Sequence, residues 1–169
     1  TSRDVYDIQY PVGASGANTG MFAAKYPGDL GNSLKVSVYA GANKPVDYAA
    51  WEFADEFSTV PGTSAYTSAR GGANDEMHII VIDSLRKFSG TPNTVLEKFS
   101  YVSKAFDAKN DDGSSNYYIN VINDKSEFVY IINHAQNTAT QVSDTSTWGN
   151  PAANTNFAQG ANHYTSQLT

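Results

Sequence analysis

Only a few groups of residues have the side chains and spacing for chemistry, and the first is the set of histidines, His78, His134 and His163. Zinc held by histidine needs its ligands to converge on one point. His78 opens one expected strand and His134 follows another. If those strands ran parallel, a strand length of roughly 20 Å would separate the two. His163 lies in a polar C-terminal stretch, so no metal centre is expected from the three. Asp107, Asp111, Asp112 and Gly113 point to calcium at first sight. An EF-hand starting at Asp107 would need an oxygen ligand where Lys109 stands, glycine where Asp112 stands and glutamate where Tyr118 stands, so that pattern fails. An irregular Ca²⁺ site around Asp107, Asp111 and Asp112 stays open beside the simpler reading, a solvated loop.

Nucleophile and acid–base patterns fare no better. Gly13-Ala14-Ser15-Gly16-Ala17 mimics a nucleophile elbow but has alanine at its fifth position. Asp55 with Glu56, or Asp75 with Glu76, would be the carboxylate pairs of a glycosidase, but adjacent carboxylates do not set the separation needed across a sugar. No glycine-rich phosphate loop ends in Lys-Ser/Thr. No catalytic, cofactor-binding or metal-binding residue is assigned, and the chain is not expected to be an enzyme. Eleven tyrosines and two tryptophans among many asparagines could instead make a glycan-binding face, with rings stacking on sugars and amides bonding their hydroxyls. The simpler reading of tyrosine in β structure is packing with a wet hydroxyl.

The composition narrows the classes further. A chain of 169 residues, 40% hydrophobic, has enough length for one domain with a sizeable core. Cysteine is absent, which excludes disulfides, thiolate catalysis and cysteine-bound zinc. The net charge is −6, and the eleven lysines and arginines are scattered. That argues against nucleic acid and anionic membrane as partners. Apolar runs are too short for a membrane-spanning helix, and the first residues do not read as a signal peptide.

These residues need elements to position them. Residues 1–20 read as an irregular lead-in. Leu34, Val36 and Val38 alternate with polar residues, as in a half-buried strand. Residues 48–57 are ambiguous. His78–Asp83 is a β-branched run that predicts a buried strand. Val95, Phe99, Val102 and Phe106 recur at steps of four, three and four, which predicts a helix from about Thr94, with Thr94 and Glu97 as a capping box, or from Thr91 with Pro92 at the first helical position as the alternative start. A shorter helix carrying Tyr118, Ile119 and Ile122 is expected, capped by Ser114 or Ser115. Residues 127–133 read as a strand. Strand, helices and strand in sequence imply a crossover, parallel if the strands at 79–82 and 128–132 are neighbours. Residues 1–134 are expected to form one globular domain. Residues 135–169, whose only charged residue is Asp144, are expected to form an Asn/Thr/Ala-rich extension packing on it or linking from it, with Trp148 and Phe157 as anchors. The fold class expected is α+β: a twisted mixed sheet or two-layer β-sandwich flanked by helices.

Three blocks carry a family resemblance. The first is Ala24-Lys25-Tyr26-Pro27-Gly28-Asp29-Leu30-Gly31-Asn32, a Pro-Gly turn leading into the strand at Leu34. The second is Asp75-Glu76-Met77-His78-Ile79-Ile80-Val81-Ile82-Asp83. The third is Gly90-Thr91-Pro92-Asn93-Thr94-Val95-Leu96-Glu97-Lys98-Phe99, followed by Asp112-Gly113-Ser114-Ser115-Asn116-Tyr117-Tyr118. In this order they resemble the contractile tail sheath protein of myovirus-type phages, over roughly residues 22 to 133. The resemblance implies an isolated middle or outer domain, without the core domain and arms that join neighbouring subunits. It implies a β-sandwich with flanking helices and a structural role with no cofactor. The partners implied are neighbouring sheath subunits and, indirectly, the tail tube. The site of action is the virion tail, assembled in the host cytoplasm. The chain itself is expected to be monomeric. The alternative is a glycan-binding β-rich module of a phage or surface protein.

Overall fold

In the computed structural model, residues 21–132, 145–159 and 163–168 are described. The elements in order are β1 (Phe22–Ala24), β2 (Leu34–Tyr39), α1 (Pro45–Ala49), α2 (Ala65–Ser68), β3 (Glu76–Asp83), β4 (Thr94–Ser103), α3 (Tyr118–Lys125), β5 (Val129–Ile131) and β6 (His163–Gln167). A four-stranded sheet has the order β4-β3-β2-β6, and β1 pairs with β5 in a second, two-stranded sheet. This is an α+β fold with a twisted sheet. Every pairing between these strands is antiparallel. The strands at 79–82 and 128–132, which would have been parallel as neighbours, are not neighbours, because β3 and β5 belong to different sheets.

The main core lies between the four-stranded sheet and a layer made of β1, β5 and α3. Leu34, Val36 and Val38 of β2 meet Met77, Ile79 and Val81 of β3 there, with Phe22, Tyr118, Ile122 and Ile131 opposite. The other face carries Tyr39, Ile80 and Ile82 and is covered by Trp51, Phe53 and Phe57. Both faces of β3 are therefore buried, which explains its unbroken apolar run.

The helix expected from Thr94 is instead β4, a ten-residue strand. Its register explains the misleading pattern. Phe99 stands opposite Ile79 and Val102 opposite Met77, with an irregularity between them; a second one separates Val95 from Glu97. Each bulge inserts a residue and shifts the two-residue alternation. Phe99 and Val102, three apart, thus reach the same core, while Val95 packs on the opposite face of the sheet. Tyr101 sits in the first bulge at φ 53°. Phe106 lies beyond the strand and is 52% exposed. The capping box is absent: the Thr94 hydroxyl donates to Thr91 O, and the Glu97 carboxylate accepts from Ser126 Oγ and Glu127 N.

The Pro-Gly block has a structural reason. Gly28 takes φ +66°, and a Cβ on Gly31 would come within 2.2 Å of Tyr26 O. The first glycine supplies a left-handed backbone and the second a close crossing. Residues 145–159 pack on the domain: Trp148 joins the main core, and Phe157 forms a smaller cluster with Ala105, Ala108 and Ala152. β6 adds to the edge of the sheet beside β2.

Candidate functional site

The densest group of buried ionisable side chains lies where β3 begins. Asp75 just before β3, half-buried Glu76 and His78 gather at one end of the strand and Asp83 closes the other, and Asp75, His78, Asp83 and Lys104 are all fully buried.

His78 points into the outer aromatic layer. Its ring stacks on Phe57 at 4.2 Å between centroids and meets Tyr101 edge-on at 4.6 Å. The Tyr101 N–H donates to Nδ1 at 3.1 Å, so Nε2 carries the proton and donates to Thr59 O at 2.8 Å. Burial pulls the imidazole down from its ordinary value to about 4, against the Thr59 carbonyl.

Asp75 and Lys104 hold the end of the sheet together. Asp75 accepts from Ser64 N and Ser64 Oγ at 2.8 Å each and from Ser103 Oγ at 2.5 Å. Ser64 in turn caps α2, accepting from Thr67 N at 3.2 Å. The Lys104 ammonium donates to Ala40 O at 3.0 Å and Asn74 O at 2.9 Å, and lies 5.6 Å from the centre of the Trp148 ring. Burial pulls this amine down to about 7, opposed by the nearby carboxylates of Asp75 and Glu76. Glu76 accepts from Gly62 N at 2.9 Å, and burial raises its carboxyl above the ordinary value.

Asp83 closes the other end. Its carboxylate accepts from Ser33 Oγ, from the backbone of Lys87, Phe88 and Ser89 at 2.9, 2.9 and 2.7 Å, and from Ser89 Oγ at 2.8 Å. Burial by itself would raise this carboxyl, but the hydrogen bonds from Ser33 and Ser89 prevail and hold it well below the usual range.

The candidate sites weighed from sequence do not converge. Tyr39 stands opposite both His78 and His163, so these two histidines lie on one row of the sheet, roughly 10 Å apart. His163 is thus part of β6 rather than of an irregular tail, but it is exposed. His134 and the Gly13–Ala17 segment lie outside the described residues. Asp107 accepts from Ala152 N, whereas Asp112 accepts from Ser114 N and Ser114 Oγ within its own turn. Among the described residues, no three His, Asp or Glu side chains are grouped to hold a metal ion. Glu56 pairs with Lys98 at 3.3 Å on the surface. A polar recess of about 300 Å³ beside β4 is lined by Ser100, Asn110, Asn116, Val121 and Lys125.

Lys104 escaped the sequence reading, because nothing local distinguishes it from the other scattered lysines. Its carbonyl partners are 64 and 30 residues away. Asp83 carried a weak signal: an aspartate closing an apolar run before a serine-rich turn can accept from the backbone that follows. In chemical terms the arrangement ties loops to strand ends. No family model matches the chain, and neither a curated protein nor a solved structure was found to match it.

Proposed function

We propose that the chain is a structural domain of a contractile tail sheath subunit, part of the sheath around the tail tube that contracts to drive the tube through the host envelope. The observation that supports a structural over a catalytic role is the use made of the buried ionisable groups. Asp75, His78 and Lys104 bond to backbone groups 11, 19 and 30 residues away, and Asp83 gathers the backbone of the turn that follows it together with the distant Ser33 hydroxyl. Among the described residues, Thr67 Oγ1 is the buried side-chain polar atom without a partner. A domain that must keep its shape while neighbours move around it needs such fastening, and an active site leaves groups poised for a substrate. The sheath assignment itself rests on the three sequence blocks, two of which form a glycine crossing and a strand buried on both faces. The glycan-binding alternative draws less support, because Trp51 and Trp148 are only 3% and 5% exposed, Trp51 stacking on Phe57 and Trp148 meeting Tyr118 edge-on.

Antibodies raised against this chain test the reading on intact tailed particles by electron microscopy. Labels along the shaft of the tail are expected. Labels confined to fibres or the baseplate would favour the glycan-binding role, and particles without label would overturn the assignment.

A further inference from the structure

The chain between β2 and β3 lies over the outer face of the four-stranded sheet. Near its end, Glu76 N–H donates to Gly62 O at 3.2 Å. Further along, the fastenings are side chains. Trp51 Nε1–H donates to Ser37 Oγ at 2.9 Å, the Tyr39 hydroxyl donates to Lys44 O at 2.9 Å, and the hydroxyls of Thr59 and Tyr101 meet at 2.8 Å. His78 sits at the middle of this attachment, with one ring nitrogen on Thr59 of the covering segment and the other on the Tyr101 bulge of β4.

Protonation would change the sign of one of these contacts. Nδ1 accepts from the Tyr101 N–H; an imidazolium would place a second N–H against that donor, with no acceptor between them. It would also put a cation among Phe57, Tyr48 and Tyr101 without a carboxylate to pair with. The titratable groups near the ring are Tyr39 from β2, Tyr48 from α1 and Tyr101 from β4. Asp55 acts on Tyr48, Glu56 is paired with Lys98, and neither bears on the His78 ionisation. We propose that His78 is an acid-sensitive latch: its protonation releases residues 48–61 and the Tyr101 bulge as one local unit, while the pairing of β2 with β3 stays closed.

Backbone pairing of β2 with β3 runs over six residues and does not depend on the latch, so opening can be local rather than global. Its pH dependence has a definite sign. The closed state holds the imidazole at about 4, below the ordinary 6.5. Between those values only the open state binds the proton, so opening grows about tenfold per pH unit as pH falls.

Hydrogen exchange of the whole chain, corrected for intrinsic rates, is the test. Protection of amides in residues 48–61 and at Tyr101 is expected to fall about 40-fold between about pH 6.5 and about pH 4.5, with β2 and β3 still protected. His78→Gln keeps a donor toward Thr59 and removes the titration, so its protection should lose this pH dependence. The same slope in His78→Gln, or a wild-type segment whose protection does not change, would overturn the latch. If His78→Gln does not fold, NMR titration of the His78 ring in the wild-type chain decides: protonation near 6.5 with the fold intact overturns it, and protonation coincident with loss of protection supports it.

Discussion

The Lys104 ammonium donates to the carbonyl of Asn74 at 2.9 Å with none of the residue exposed to solvent. A cation placed there is costly, and its cost should appear in the pH dependence of stability. The amine is held at about 7 in the folded chain against 10.5 ordinarily. Between these values the unfolded chain binds the extra proton, so stability rises with pH across that window. Lys104→Met should flatten the rise. Denaturant midpoints from about pH 7 to about pH 9.5 check this. Higher pH brings an opposing effect: burial raises Tyr39, and raises Tyr117 to about 12. Above pH 10 the unfolded chain loses those protons first, and stability falls again.

The Asp83 carboxylate closes the turn after β3 with acceptor bonds to Ser33, Lys87, Phe88 and Ser89. Asp83→Asn replaces an acceptor oxygen by a donor nitrogen among donors, and should cost roughly 2–4 kcal/mol. Because the folded carboxyl is held below its ordinary 3.8, the wild-type contribution is full above that pH and is lost as pH falls below it. Urea unfolding at neutral pH and at about pH 3 should show the variant's deficit shrinking in acid.

Bulges in β4 separate the two readings of residues 94–106. Phe99→Ala removes a ring that is 8% exposed in the main core, and should cost roughly 3–5 kcal/mol. Phe106→Ala should cost under about 1 kcal/mol, since half of that ring is already in solvent. A helix with one apolar stripe would make the two variants similar. Thermal or urea unfolding of both distinguishes them.

Much of the fold was legible wherever one periodicity ran undisturbed. Leu34, Val36 and Val38 alternate in sequence and are all fully buried in the same core. The run from His78 to Asp83 is a central strand, and Tyr118 and Ile122 do share a helix, α3. The failure at β4 has a physical cause: a bulge makes Phe99 and Val102 neighbours on one face, and a step of three imitates a helical turn. Aromatic and β-branched residues through that stretch were a counter-signal. His78 was legible as a residue at the start of a strand. Its partners Thr59 and Tyr101 were not, because they come from a covering segment and a bulge that only the tertiary fold brings together. The same holds for Lys104, Ala40 and Asn74.

Metal removal should leave the domain unchanged. Asp107 and Asp112 face different partners, Ala152 and Ser114, so no ion is needed to hold their loop. The melting temperature should be the same with and without EDTA. A sharp fall would point to an ion at Asp107, Asp111 and Asp112 that binding had stabilised.

The last expectation is a monomer in dilute solution. The four-stranded sheet ends in β4 and β6, and a free sheet edge is a template for pairing with another copy. β4 is guarded. Its two bulges break the ladder that a partner strand would need, and exposed Lys98 stands between them. β6 is a strand of only five residues. Among the described residues, the exposed large hydrophobic side chains are Tyr26, Leu30, Val46, Leu85 and Phe106, and Val46 of α1 and Leu85 of the turn after β3 belong to separate parts of the chain. A net charge of −6 adds a mutual repulsion that salt screens. In a sheath, contacts made elsewhere in the subunit would bring such domains side by side. Sedimentation or light scattering over a wide concentration range, at low and high salt, should therefore return the mass of a single chain. Stable rings or tubes formed by this chain alone would place the assembly contacts in the domain itself and remove the reason for reading β4 as a guarded edge.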